Sequence, residues 1–532
     1  MPSQPIHSDI LDTNPPLTPE SAVAFERDLD PKWAKVIDNT RCIGCHACST
    51  ACKSENEVPL GVNRTYVKYV DVGTFPPGQG RRAFQVTRCN QCEDAPCVTA
   101  CPTAAMYARD DGIVDFDKSI CIGCKACIAA CPYDAIFINP TDHSAEKCNF
   151  CAHRIDMGLE PACVVVCPTQ AILVGDLNDP TSAVAQIVER DAVAVRRPEK
   201  GTLPKLFYKG AHQATLDPLA ARRPDGGLFM WSEQVAGGQK VVSGHRGNGS
   251  NSSAAALLSY DVPHEAPWDW RVSLYTWTKG IAVGVYLVPL GLVATGALGA
   301  DSVLWRWVAP LLAGLFLALT GGLLIWDLEH PTRFYLIFLR PQYRSWLVRG
   351  AYVIGAYSAV LATHFLTSFL GGATPPAALM VLGFPLGALT AVYTAYLFAQ
   401  AKARDLWQSP LLAPHLFVQA VLAGSATLAP VAARMQPELV GTLLWVLAVS
   451  SAVHLLFVTA EVTITHATEH ARLASYEMTG GRFRGFFWTG IVLLLGSVAA
   501  PWIGLAAVPA ALVGLLAHEH AYVQAGQAVP LA

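Results

Sequence analysis

Long apolar runs occupy only the second half of the chain. Eight segments follow one another near 273–299, 307–326, 350–371, 377–400, 415–433, 439–462, 485–500 and 502–522. Most reach the roughly 20 residues that a bilayer-spanning helix needs, although Pro501 crowds the last two. An even number of spans brings both ends of this half to one face. The first half reads differently. Short stretches such as Gly112-Ile-Val-Asp-Phe116 and Ala135-Ile-Phe-Ile138 predict strands, set between tight turns and brief helical pieces. From about 201 to 269 there is no long apolar run, and Gly244-His-Arg-Gly-Asn-Gly-Ser-Asn-Ser-Ser253 has the composition of a flexible linker. Gly237 and Gly238 stand in no strand-to-helix setting that makes a phosphate-binding loop.

Composition sharpens this division. Hydrophobic residues make up 52% of the 532 residues and charged ones only 15%, against about 45–50% and about 25% in ordinary globular chains. The net charge of −3 excludes a broadly basic, nucleic-acid-binding class. Met1 to Asp30 is polar and acidic, without the basic segment and apolar core of a secretory signal.

All sixteen cysteines lie between Cys42 and Cys167. They form four groups: Cys42, Cys45, Cys48 and Cys52; Cys89, Cys92, Cys97 and Cys101; Cys121, Cys124, Cys127 and Cys131; Cys148, Cys151, Cys163 and Cys167. The third has the full C-x2-C-x2-C-x3-C-P spacing, in which three thiolates on a turn reach one cubane and the fourth serves another. Groups therefore work in pairs. Gly44 and Gly123 permit the turns, and Pro102, Pro132 and Pro168 fix the chain direction afterwards. Disulfides suit small secreted domains, and zinc has no use for this repeated spacing. The cysteines thus point to four [4Fe-4S] clusters and one-electron chemistry.

The expected architecture is multidomain. A polar extension (1–33) precedes an α+β ferredoxin-like four-cluster domain (34–200). A linker (201–269), an all-α transmembrane bundle of about eight helices (270–524) and a short tail (525–532) complete it.

From about 34 to 200 the chain closely resembles the four-cluster electron-transfer subunits of molybdopterin oxidoreductases, of the dimethyl sulfoxide, polysulfide and nitrate reductase type. The resemblance implies the cluster sets. One is Cys42, Cys45, Cys48 and Cys167, and a second is Cys148, Cys151, Cys163 and Cys52. A third is Cys89, Cys92, Cys97 and Cys131, and the fourth Cys121, Cys124, Cys127 and Cys101. It also implies that the Cys42 set faces a catalytic partner and the Cys121 set faces the membrane. Lys53 departs from the proline of the other groups and is expected in solvent, the alternative being a tuning charge.

The segment Trp326-Asp-Leu-Glu-His-Pro-Thr-Arg-Phe334 resembles the acidic-leucine-x-x-proline loop of the membrane anchors found with polysulfide and nitrite reductases. That likeness, over most of 270–522, implies a quinone-reactive anchor without haem; His364 and His454 are the mid-membrane histidines that a haem would require as a facing pair. Ionisable residues inside spans are costly and mark function. Tyr275, Lys279, Asp327, His330, Glu461 and His518, the last beside Glu519, crowd toward one end of the spans and are the candidate quinone site. Each alone is open to a simpler reading, snorkelling or an internal ion pair. Their side chains suit hydrogen bonds to two quinone carbonyls and transfer of two protons.

Arg333, Arg340, Arg344, Arg349, Lys402, Arg404, Arg472, Arg482 and Arg484 fall in loops on the cluster side and Arg306 and Arg434 on the other, nine against two. This predicts a multi-pass protein of a bacterial-type cytoplasmic membrane with the cluster domain inside the cell, the alternative being that some of these cations dock the domain. The function expected is electron transfer between menaquinone or ubiquinone and a separate molybdopterin-containing catalytic subunit, with no nucleic-acid partner. Two other classes stay open: a quinone-linked complex without molybdenum, and a proton pump using Glu461, His454 and Lys279.

Overall fold

A computed structural model describes residues 30–73, 80–221, 256–371 and 376–531. The Gly244–Ser253 run, Gly237, Gly238 and most of the N-terminal extension lie outside them.

In the first half, β-branched and aromatic residues build small sheets. Its strands are β1 (Trp33–Asp38), β2 (Thr65–Val72), β3 (Arg81–Arg88), β4 (Met106–Ala108), β5 (Val114–Phe116), β6 (Ile136–Ile138), β7 (Ala145–Lys147), β8 (Ile172–Asp176), β9 (Val193–Ala194), β10 (Leu206–Lys209) and β11 (Leu257–Tyr260). β1 is central in the order β8-β1-β10-β9, antiparallel to β8 and parallel to β10. β2 pairs with both β3 and β11, while β4-β5 and β6-β7 are separate hairpins. The strands expected at Gly112–Phe116 and Ala135–Ile138 are β5 and β6. The expected linker at 201–269 is corrected at both ends, because β10 completes the central sheet and β11 extends the second. Pairing partners more than a hundred residues distant hold these short strands in place.

The second half contains α1 (Trp270–Ala294), α2 (Ala309–Trp326), α3 (Trp346–Gly371), α4 (Ala377–Gln400), α5 (Leu412–Met435), α6 (Val440–Thr463), α7 (Glu469–Thr479), α8 (Arg484–Val498) and α9 (Ala507–Gly526). Among the described residues, seven helical stretches are long and apolar enough to cross a membrane, and α8, with 15 residues, is a shorter apolar helix. The eight expected segments correspond to these. α7 is an additional short helix, amphipathic and half polar, where the absence of an apolar run suggests a loop.

α1 is the axis of the bundle, packed by α2, α4, α5 and α9. It crosses α5 where Gly284 meets Gly424: a Cβ at Gly284 would lie 1.8 Å from the Ala420 carbonyl oxygen. Small residues allow helices to approach this closely. The first helix begins and the last ends on one face, where the Trp268 amide donates to Gln527 Oε1 at 3.2 Å.

The two halves meet at the Cys121 turn. Glu329 N donates to the Gly123 carbonyl at 3.3 Å and His330 N to that of Ile122 at 3.2 Å. Arg333 Nη1 caps the carbonyls of Lys118 and Cys121 at 2.9 and 3.0 Å. Gln342 N reaches the Pro102 carbonyl at 2.9 Å. Several cations counted for orientation make contacts inside the fold. Besides Arg333, Arg404 is buried and holds the carbonyls of Gln527 and Val529 at 3.1 and 3.3 Å, and Lys402 pairs with Asp94 at 3.4 Å.

Candidate functional site

Each cysteine group sits on a left-handed turn followed by one or two turns of helix. Gly44 and Gly123 have φ of 70° and 69°, and His46 and Lys125, which follow the second cysteine of their groups, have φ of 60° and 61°. The turns bring cysteines from two groups together. Cys42, Cys45, Cys48 and Cys167 line one hollow of about 320 Å³. Cys89, Cys92, Cys97 and Cys131 line another of about 300 Å³, and Cys101, Cys121, Cys124 and Cys127 a third of about 350 Å³. Cys52 has Cys148, Cys163 and Cys151 as its neighbouring thiols, and Asn56 Nδ2 lies 3.7 Å from the sulfurs of both Cys52 and Cys151.

These sets suit iron-sulfur clusters and not single ions. Thiolates on one zinc, with Zn–S about 2.3 Å, lie within about 4.6 Å of one another. Among the described residues no three cysteines have their sulfurs that close. Backbone amides point at the sulfurs: Met106 N to Cys101 at 3.4 Å, Ala145 N to Cys121 at 3.4 Å and Ala171 N to Cys167 at 3.2 Å. Such bonds favour the anionic sulfur and tune a cluster. Burial pushes the Cys48 and Cys131 thiols up to about 11, so their deprotonation depends on a bound cation such as iron. Cys163 differs. Burial pushes its thiol up, but Lys35 and Arg88 more than offset this and leave it below its ordinary value.

Lys53 is not a free surface charge: its ammonium holds the carbonyls of Pro59 and Val62 at 2.9 and 2.5 Å.

In the membrane half, a cavity of about 320 Å³ opens between α1, α4, α5 and α9, lined among others by Thr276, Phe398, His415, Gln419, His518, Glu519 and Tyr522. Thr276 Oγ1 donates to Glu519 Oε2. Lys279, one turn along α1, donates to the Ala391 carbonyl at 2.9 Å and Thr394 Oγ1 at 2.5 Å. Tyr275 is buried on the same helix. Glu461 of α6 lies near Tyr522, whose hydroxyl donates to the Leu406 carbonyl at 3.1 Å.

Of the six quinone candidates, His518 lines this cavity and Glu461 adjoins it through Tyr522. Asp327 and His330 lie elsewhere, at the junction. Asp327 Oδ1 is 3.8 Å from Lys125 Nζ and 3.6 Å from Arg271 Nε, and burial raises its carboxyl to about 6 against those two cations. His330 contributes its amide to the Ile122 carbonyl. His415, Gln419 and Thr276 are not among the residues the sequence singles out, although His415 and Gln419 stand four apart in an apolar run, a readable polar stripe. His364 and His454 belong to different clusters. His364 Nδ1 bonds Tyr286 Oη at 3.0 Å, and His454 Nδ1 bonds His415 Nε2 at 2.8 Å.

An aromatic stack links cavity and junction. Trp268 Nε1 donates to the Cys124 carbonyl at 3.2 Å. Its ring stacks on Phe398 and Trp407, with centroids 5.8 and 5.4 Å away, and Phe398 is a wall of the cavity.

The arrangement defines an iron-sulfur electron-transfer domain fused to a multi-pass membrane anchor. The protein belongs to the polysulphide reductase, NrfD family, which matches residues 260–527, and a 4Fe-4S dicluster domain matches residues 81–177. Its first half is 40% identical over 220 residues to the B subunit of tetrathionate reductase from Salmonella typhimurium, covering 41% of this chain and 86% of that one. It is 42% identical over 177 residues to the B chain of polysulfide reductase from Wolinella succinogenes, covering 33% and 93%. With the putative dimethyl sulfoxide reductase iron-sulfur subunit of Halobacterium salinarum it shares 38% over 263 residues, covering 44% and 96%. The protein is thus a fused iron-sulfur and membrane-anchor subunit, homologous to subunits of multi-subunit reductases.

Proposed function

We propose that this chain moves electrons between the membrane quinone pool and a separate molybdopterin-containing catalytic subunit. The four cysteine sets would hold four [4Fe-4S] clusters, which supply one-electron carriers when bound. The observation that carries the reading is the cavity whose Phe398 wall continues through Trp268 to the Cys124 carbonyl. A quinone headgroup, menaquinone or ubiquinone, fits its chemistry: Gln419 and His518 offer polar contacts to the ring oxygens, and the Glu519 carboxylate and His415 imidazole can hold or release protons. Phe398, Leu412 and Leu416 exclude water from the ring.

Exposure around the Cys42 set supports a docking face for the partner there. Cys45 is exposed, and Ile43, Val165 and Val166 beside it leave apolar side chains in solvent, as expected of a surface that a protein covers. The relatives' names, as subunits of tetrathionate and polysulfide reductases, support a catalytic partner. The arginines not used at the junction, Arg340 and Arg344 among them, favour a cytoplasmic cluster domain, which trypsin cleavage in inside-out but not right-side-out vesicles would test.

The central test is purification in mild detergent with metal analysis and addition of a reduced quinol analogue. About sixteen irons per chain, a co-purifying molybdenum subunit and quinol-driven bleaching of the cluster absorbance, slowed in Glu519→Gln, are expected. Clusters that no quinol reduces, in a preparation active with soluble reductants, would overturn the quinone link; a large subunit without molybdenum would overturn the partner.

A further inference from the structure

At the wall of the cavity, His415 of α5, His454 of α6 and His518 of α9 converge. All three are buried, and one ring nitrogen from each lies within 4.8 Å of the others. The 2.8 Å bond between His415 Nε2 and His454 Nδ1 satisfies only part of the trio. Among the described residues, His454 Nε2 and His518 Nδ1 have no hydrogen-bond partner, and neither does the buried Gln419 Oε1 on the adjoining wall. Buried polar atoms in native proteins are paired with protein, water or a ligand, so these orphaned acceptors and donors mark a place where something binds.

We propose that the trio is a binding site for a divalent late first-row transition-metal ion, of which zinc is the simplest probe. Three neutral imidazoles from three helices are the donor set such ions prefer over magnesium or calcium. A three-histidine site leaves a further position open, facing a cavity where Gln419 supplies a carbonyl oxygen and Glu519 a carboxylate. That carboxylate lowers the cost of a cation in a low-dielectric bundle. A bound ion would replace the His415–His454 hydrogen bond and fix the ring tautomers, leaving Glu519 as the group that holds or releases protons in the cavity. The site does not depend on a quinone occupying that cavity.

The test uses the full chain with its clusters, purified without a histidine tag and washed with a weak chelator. Zinc is added alone and measured by equilibrium dialysis with metal analysis, and zinc-edge X-ray absorption reads the imidazole outer-shell scattering. About one tightly held zinc per chain with imidazole scattering is expected, weakened at least about tenfold in His454→Ala and His518→Ala. His454→Gln, a milder change checked by cluster absorbance and elution volume, should lose imidazole scattering while staying folded. His364→Ala, which removes a buried histidine outside the trio, should bind as the parent does. Equal binding by the parent and the double variant His454→Ala/His518→Ala, or zinc without imidazole scattering, overturns the proposal.

Discussion

Arg88 places Nη1 3.0 Å from the sulfur of Cys163 in the interior of the cluster domain. The guanidinium is fully buried, and its Nε and Nη2 have no hydrogen-bond partner among the described residues. The ionisable groups around it are the thiols of Cys163, Cys48 and Cys148, and Lys35 Nζ stands 4.0 Å from the same Cys163 sulfur. A buried cation without compensation is expensive, so this one is stable because the sulfur side carries negative charge. Two cations on one ligand should make the adjoining cluster easier to reduce than its neighbours. Arg88→Gln is expected to lower its midpoint by several tens of millivolts, where about 59 mV is a tenfold change for one electron. A redox titration followed by paramagnetic resonance reads this directly. Unchanged potentials in a variant with full iron content would refute it.

Gly123 meets the membrane half more closely than any side chain would allow. A Cβ there would fall 2.4 Å from Glu329 Cβ and 2.9 Å from its amide nitrogen, and φ is +69°. Gly123→Ala therefore combines left-handed strain with a clash at the junction, for a loss of about 2 to 4 kcal/mol. The loss should appear as easier tryptic release of the cluster domain from membranes. Gly158, with φ +72° and nothing within 4 Å, is the control: alanine there carries the backbone strain alone.

These contacts show where sequence reading succeeds and where it stops. The spans are legible because twenty apolar residues in a row have few other uses, and the cysteine groups because their spacing is local geometry. β10 and β11 are not, since four-residue strands are held by distant partners and not by propensity. Arg404 reads in sequence as a loop charge on one face; its role appears only when α4 and the residues after α9 come together. Asp327 reads in sequence as a quinone-site candidate at the end of a span, and its ion pair is not visible there. Its partner Lys125 is about two hundred positions away, and no periodicity in α2 records it. Among the cavity residues, His415 and Gln419 are readable as a polar pair in an apolar helix, whereas Thr276 acquires meaning only beside Glu519.

His264 ties the loop before α1 to the turn after Cys131. Its imidazole bonds Asp134 and lies 3.1 Å from Asp261 Oδ2. Burial alone would lower its pKa, yet Asp261 and Asp134 raise it to about 9. Because the folded value exceeds the unfolded one, the stabilisation is complete below about pH 6.5 and disappears as pH rises through 9. At most about 3 kcal/mol is involved. Thermal unfolding should therefore show a loss between pH 7 and 9.5 that shrinks in His264→Gln. If both proteins lose stability equally over that range, other groups are responsible.

Trp268 joins the junction to the cavity, and its removal separates electron entry from cluster assembly. The indole donates to the Cys124 carbonyl and stacks on Phe398, but it touches no cysteine sulfur through a hydrogen bond. Trp268→Leu keeps an apolar side chain in the site while removing the ring and its donor. Iron content should stay at the parent level. Quinol-driven reduction of the clusters should slow on the order of tenfold, about 1.4 kcal/mol in effective barrier, while reduction by dithionite from the solvent side is unchanged. Trp268→Phe restores the stacking without the N–H, so a partial recovery assigns the effect to the ring, and none assigns it to the bond that holds the Cys124 turn. Stopped-flow absorbance on the purified complex measures both rates. Equal quinol rates in all three proteins would remove the aromatic stack from the route and move electron entry to another face of the Cys121 turn.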